Sequence, residues 1–150
     1  MNDIKYMKKA LEEAKKASLL DEVPIGACLV DPINNKVIAK AHNKTEYGND
    51  VTAHAEILVL RKGCKKLNSK RLWGLDLYVT LEPCTMCAAA LSFARIRRII
   101  YGATDKKGGA IESGVKFFQN NTCHHKPEIV SGILADESAQ LLKEFFQTKR

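Results

Sequence analysis

Proline and glycine are scarce, 4 and 9 of 150 residues, which excludes collagen-like, proline-rich and glycine-linker chains. Long apolar runs are missing as well: no stretch approaches the roughly 18 uncharged apolar residues that a membrane-spanning helix needs. Met1 to Leu20 is broken by Lys5, Lys8, Lys9, Glu12, Glu13, Lys15 and Lys16, so it lacks the apolar centre of a secretory signal. In a chain of this kind the five cysteines argue against a disulfide framework. They are expected to be metal ligands, catalytic groups or buried apolar residues of a cytoplasmic protein. Acidic residues are the minority charge, 17 Asp+Glu against 24 Lys+Arg, for a net charge of +7. That excess points mildly to a polyanionic partner, and by itself it does not select one.

What remains is ordinary globular material, 45% hydrophobic and 27% charged, enough for one domain over 1–150 that buries roughly 70% of its unfolded surface. Ile4, Met7, Ala10, Leu11, Ala14 and Ala17 fall at helical spacing among lysines and glutamates and predict an amphipathic helix ending near Leu20. Val23 to Val30 and the run from Val37 predict two strands joined by the turn-rich Asp31 to Asn35. Ala53 to Leu67 predicts a second helix with Ile57, Leu58, Leu60 and Cys64 on its apolar stripe. Leu77 to Leu81 reads as a buried strand stopped by Pro83, Cys84 to Ala94 as a helix, and Arg98 to Gly102 as another strand. Ala103 to Pro127 is expected to be loop with at most a turn or two of helix near Gly114 to Phe118, followed by a short strand at Glu128 to Val130. Asp136 starts a last helix with Leu141, Leu142, Phe145 and Phe146 on one face. This alternation predicts an α/β chain, a three-layer α/β/α domain with a mixed sheet of about five strands.

The residues with chemistry in them are His54-Ala55-Glu56 and Pro83-Cys84-Thr85-Met86-Cys87. Cys84 and Cys87 stand at i and i+3 where a helix begins, so both sulfurs can meet one metal while the helix terminus lowers their pKa. With His54 they make three zinc ligands and leave the fourth tetrahedral position open for water, as hydrolysis requires and a structural site does not. Glu56 is then placed as a proton shuttle rather than a ligand. The combination of H-x-E with P-C-x-x-C is the known signature of zinc-dependent base deaminases, serving cytosine and adenine alike.

The likeness reaches further. Glu22 to Ala27, His42-Asn43, Thr52 to Ile57, Tyr78 to Cys84, Arg95-Ile96, Gly102-Ala103, the run Asp105, Lys107, Gly109, Ala110, and Gly132 to Glu137 with Phe145-Phe146 together resemble the bacterial tRNA adenosine deaminase family, from about Ala10 onward. The resemblance implies the cytidine-deaminase-like fold, one Zn²⁺ per chain, a homodimer, and conversion of the wobble adenosine of a tRNA anticodon stem-loop to inosine. It also implies that Asn43 holds the purine from its N7 side and that the Ala55 N–H meets the oxygen arriving at C6. Pro24, Ile25 and Leu81 would wall the flipped base, and Asp105 and Lys107 would contact neighbouring anticodon nucleotides. The loop at Asp31 to Asn35 is longer than the family pattern, Val51 stands where that pattern commonly has proline, and Gln119 to Lys126 is the least family-like stretch.

Plainer readings stand beside these. Cys123, His124 or His125 could close the zinc site as a fourth ligand and make it structural. The same motif serves deaminases of free bases or nucleosides of the guanine or cytosine type, and a zinc-binding RNA module without catalysis would also keep the ligands. His42 is expected to be a loop or strand-end residue, and Cys28 and Cys64 buried hydrophobes. The basic cluster Arg61, Lys62, Lys65, Lys66, Lys70 and Arg71 is either a solvated face or an RNA contact, and Arg95, Arg97 and Arg98 are open between the same uses. The small-residue helix Ala88 to Ala94 suits either the core or half of a dimer contact.

Overall fold

Leu77 and Val79 belong to one apolar core and the intervening Tyr78 to another, because side chains alternate across a strand and this strand lies in the middle of a sheet covered on both faces. The computed structural model describes residues 2–149; Met1 and Arg150, the outermost residues of the expected domain, lie outside the described residues. In chain order the elements are α1 (Asp3–Leu19), β1 (Gly26–Asp31), β2 (Lys36–His42), α2 (Ala55–Leu67), β3 (Asp76–Leu81), α3 (Thr85–Phe93), β4 (Arg98–Ala103), a 3-10 turn (Phe117–Gln119), β5 (Glu128–Val130) and α4 (Ala135–Gln147). They match the predicted order, including the short fifth strand.

The strands form one sheet in the order β2-β1-β3-β4-β5. β1 runs antiparallel to both β2 and β3, whereas β3, β4 and β5 are parallel, as a helical crossover between strands requires. Helices α1 and α4 cover one face, where Tyr6, Met7 and Ala10 pack on Cys28, Val30, Tyr78 and Ile100. Helices α2 and α3 cover the other, with Val59, Leu60, Ala88 and Leu91 against Leu29, Leu77, Val79 and Ile99. The result is the expected α/β/α layering.

Helix α1 crosses close over the start of β1. A Cβ on Gly26 would lie 2.0 Å from the Ala10 carbonyl oxygen and 2.5 Å from the Ala14 nitrogen, so only glycine admits this approach. The far end of α1 is fastened by charge. Buried Arg98 donates to Asp76 Oδ2 at 3.0 Å and to Asp3 Oδ1 at 3.0 Å, and Tyr78 Oη donates to the same Asp3 oxygen at 2.6 Å. Arg97 completes the cluster with a two-pronged contact to Asp76 at 2.9 and 2.6 Å. Arg98 thereby holds the sheet to α1, and Arg97 is engaged with Asp76 beside it.

Three expectations are corrected by packing. Beyond its first turn, where Ala55 and Glu56 are buried, the buried residues of α2 are Val59, Leu60 and Gly63, while Ile57, Leu58 and Cys64 are only half-buried, since the stripe facing the sheet is rotated toward the small Gly63. Cys64 is therefore not a core residue like Cys28, which is fully enclosed. On α4 Phe145 is buried but Phe146 is 48% exposed, because adjacent residues on a helix are about 100° apart and cannot share one buried line.

Candidate functional site

Strand register gathers the site at one edge of the sheet. Gly26 pairs with His42, Ala27 with Val79, and Leu81 with Ala103, so the entry to β1 and the exits of β2, β3 and β4 all lie at the same end. Pro24 and Ile25 precede β1, Asn43 follows β2, Leu81 closes β3, and Asp105 and Lys107 follow β4. The Asn43 N–H donates to the Ile25 carbonyl at 3.0 Å, and Lys44 N–H to the Ala53 carbonyl at 3.0 Å. The second bond ties this edge to the start of α2. In open α/β sheets ligands bind at the carboxyl ends of strands, and both helices of this face begin there.

His54 caps the N-terminus of α2 and Cys84 that of α3, each with extended backbone. Two helix N-termini are thus aimed at one place, where they favour thiolate and bound anions. His54 Nδ1 is 3.6 Å from Cys84 Sγ and 3.5 Å from Cys87 Sγ. Tetrahedral zinc with bonds of about 2.3 Å to sulfur and about 2.05 Å to nitrogen has a nitrogen-to-sulfur edge of about 3.6 Å. The donor set therefore fits zinc in both chemistry and spacing. Among the described residues these three form the cluster whose ligand atoms lie within 4.8 Å of one another. Cys123 lies elsewhere, buried behind α3, where its thiol donates to the His125 carbonyl at 3.2 Å while Ser92 donates to the same oxygen at 2.7 Å. The expected rival, a fourth ligand from Cys123 to His125, is not assembled. His42 is the last residue of β2, as expected.

Electrostatics at the cluster favour a metal and a base. Hydrogen bonding from the Cys87 thiol and from His54 holds the Cys84 thiol down to about 4, despite its burial, so the pair carries a thiolate ready for a cation. Cys87, the partner in that hydrogen bond and itself enclosed, is pushed up. Glu56, in the first turn of α2, is 4% exposed. Burial pushes its carboxyl up to about 7, with the Cys84 charge adding to the shift and His54 and Cys87 opposing it. A carboxyl in that range can both take and release a proton near neutrality. It sits beside the donor triangle without belonging to it.

The other residues singled out in the sequence occupy the surrounding edge. Ala55 is fully buried at the first position of α2, where the N–H has no intrahelical partner. Asn43 is 5% exposed. Pro24 is buried, while Ile25 and Leu81 are half-buried. Asp105 is half-buried, with Oδ1 accepting the Lys107 and Gly108 N–H groups at 3.1 and 3.0 Å, and Lys107 is exposed.

Two carboxylates with no role foreseen in the sequence hold the loops around this edge. Buried Glu22 accepts the Glu46 and Tyr47 N–H groups at 3.1 and 2.7 Å, shaping the turn after Asn43. Buried Glu82 accepts from the loop after β4. Both lie within the family-like stretches, yet an acidic residue beside Val23 or Pro83 carries no local sign of which loop it will bind.

Known proteins agree with this chemistry. The family model for MafB19-like deaminases matches residues 1–150. A tRNA-specific adenosine deaminase of Agrobacterium fabrum (strain C58) is 60% identical over 97% of this chain and 94% of its own length. A structure from work on A-to-I editing by tRNA:A34 deaminases superposes with a TM-score of 0.89 at 60% identity, covering 92% of this chain and 99% of the other. A guanine deaminase from Nitrosomonas europaea, 22% identical with a TM-score of 0.78 over 95% of this chain and 83% of the other, shares the fold. By its matching family and by its identity over nearly its whole length, the chain belongs to the MafB19-like deaminases and to the tRNA-specific adenosine deaminases among known proteins.

Proposed function

We propose that residues 1–150 act as a single zinc-dependent domain that deaminates the wobble adenosine of a tRNA anticodon stem-loop, giving inosine and ammonia. The observation that carries the reading is the His54, Cys84, Cys87 triangle with the buried carboxyl of Glu56 beside it and outside it. One zinc ion held by those three residues would supply an acidified water, its pKa lowered from 15.7 to about 7. Glu56 takes one proton from the water at its carboxylate and delivers it to the ring nitrogen next to C6, then takes the second proton from the hydroxyl added at C6 and hands it to the departing amine. The Ala55 N–H donates to the oxygen arriving at C6 from the positive end of α2. Asn43, nearly buried where β2 ends, takes the N7 edge of the purine. Pro24, Ile25 and Leu81 wall the flipped base, and Asp105 and Lys107 meet the nucleotides beside it.

A homodimer belongs to the same proposal. Between α2 and α3 runs a groove of about 620 Å³ with Ile57, Cys64, Ala90, Phe93 and Phe117 in its apolar floor and Arg61, Lys70, Arg71 and Arg95 also in its lining, and Phe93 is 65% exposed. An apolar floor bordered by charged residues, with an exposed aromatic among them, is the kind of surface a second copy covers. The five cysteines are free, and no helix among the described residues is long and apolar enough to cross a membrane. Both features suit a cytoplasmic enzyme.

The test is to incubate the purified protein with anticodon stem-loops and sequence them. Adenosine read as guanosine at the wobble position is expected, at a rate that falls steeply with salt because phosphate contacts release counterions. Turnover of free guanine, cytosine or their nucleosides with none on RNA would overturn the reading.

A further inference from the structure

The Glu82 carboxylate is 2% exposed and accepts five hydrogen bonds. Oε1 takes the Asp105 N–H at 2.9 Å and the Ser113 hydroxyl at 3.0 Å; Oε2 takes the N–H groups of Ile111, Glu112 and Ser113, each at 3.0 Å. Every one of these donors comes from the single loop between Asp105 and Ser113, and none from a strand or helix of the sheet. A carboxylate recruited only to hold the core together would bond to the elements of that core. This one instead has a loop wrapped around it, in the manner of backbone nests that enclose anions.

One further contact ties the loop to the residue before Cys84, and another closes the loop on itself. The Ala110 N–H donates to the Pro83 carbonyl at 2.9 Å, and the Gly109 N–H to the Asp105 carbonyl at 2.8 Å. A Cβ on Gly109 would lie 2.4 Å from Glu82 Cδ, 2.5 Å from its Oε1 and 2.5 Å from the Asp105 carbonyl oxygen, so the wrap closes only over glycine. Glu82 and Pro83 are the two residues that lead from β3 into Cys84. The backbone that delivers a zinc ligand therefore also sets where the loop bearing Asp105, Lys106 and Lys107 stands.

We infer that Glu82 is a positioning residue for the substrate: its carboxylate holds the Asp105–Ser113 loop ordered and in register with the metal site, so that the loop meets RNA without first having to be ordered. This inference rests on the proposed RNA reaction. His54 and Glu56 are placed by the start of α2, and Cys84 and Cys87 by that of α3, which the loop bonds only at the Pro83 carbonyl, so loosening the loop is expected to weaken binding and leave the chemical step in place. Charge-assisted hydrogen bonds are the strong class, and an amide at this position would press an NH₂ group against N–H donors.

The experiment compares the wild type with Glu82→Gln and Gly109→Ala, each loaded with zinc. Amide exchange at Asp105, Ile111, Glu112 and Ser113 and tryptic cleavage after Lys106 or Lys107 are followed by mass spectrometry, with steady-state kinetics on an anticodon stem-loop alongside. Both variants are expected to exchange and cleave faster in this loop, to keep one zinc per chain, and to raise KM about tenfold with kcat within about threefold. Unchanged loop exchange and cleavage would overturn the inference. So would a fall in kcat with KM unchanged, or loss of zinc, either of which would assign Glu82 to the metal centre. Should Glu82→Gln fail to fold, Gly109→Ala decides alone, since its Cβ forces the loop and the Glu82 carboxylate apart without removing the acid. The exchange and cleavage arms use no RNA, so failure of the RNA reaction in the wild type is distinguishable from failure of the positioning role.

Discussion

Nδ1 of His54 and Sγ of Cys87 stand 3.5 Å apart across a sequence separation of 33 residues. Neither side chain reaches for the other. They meet because α2 and α3 lie on the same face of the sheet and begin at the same edge, where β3 delivers Cys84 and the turn after β2 is bonded to Ala53.

Removal of metal gives the first prediction. A strong chelator is expected to abolish deamination, and zinc to restore it. In the chelated protein a thiol reagent should label Cys84 rapidly, even at mildly acidic pH, because its neighbours hold it as thiolate at about 4. Cys28 should stay unlabelled under the same conditions, being fully enclosed with its thiol pushed up to about 12 by burial. Peptide mapping of the labelled cysteines, with and without added zinc, is the measurement. Equal labelling of Cys84 in the two states would mean that it does not hold the metal.

Glu56→Gln separates metal binding from catalysis. The donor triangle excludes Glu56, so the variant should carry one zinc per chain by elemental analysis. Deamination should fall by at least about 10²- to 10⁴-fold, the range expected when a general acid–base group is lost. Full activity with zinc retained would remove Glu56 from the proton path. Loss of zinc would make it a ligand.

Acid sensitivity follows from the carboxylates that the fold holds ionised. Burial alone would raise Glu82, but the hydrogen bonds from Asp105, Ile111 and Ser113 outweigh it and bring its pKa below the ordinary 4.5. For Asp3 burial is likewise outweighed, here by Arg98 and Tyr78, and its pKa falls below 3.8. A pKa lower in the folded state than in the unfolded one means that the unfolded chain binds the proton more readily. The stabilisation is therefore complete above these ordinary values and is lost as pH drops through the folded ones. Urea melts between pH 6 and pH 3 should show stability declining below about pH 4.5, with the decline shallower in Glu82→Gln and, at the acid end, in Asp3→Asn. An equal slope in wild type and variants would count against these assignments.

Much was legible in the chain because its signals are local. Helix and strand periods in Ile4 to Ala17 and Leu77 to Leu81 arise from side-chain directions within one element, and the C-x-x-C spacing puts two sulfurs on one turn whatever else the chain does. Burial is less local. The alternation that predicts α2 does not tell which of its two apolar edges meets the sheet, and Gly63, close against Leu29, decides in favour of Val59 and Leu60. The same limit applies to Phe145 and Phe146, which are adjacent in sequence but on different sides of a helix.

Residue types and spacing by themselves determined the element order and singled out His54, Cys84 and Cys87 as candidate metal donors with Glu56 as the candidate proton carrier, since each reading depends on the chemistry of a few neighbouring side chains. Tertiary structure alone decided which strand ends share an edge, that Cys123 to His125 stay away from the metal ligands, and that Glu22 and Glu82 hold loops from distant parts of the chain. A carboxylate among apolar neighbours reads only as a group that must find donors. Which backbone N–H groups it finds is set by strand register and by where the chain folds back, and neither is written in the residues beside it.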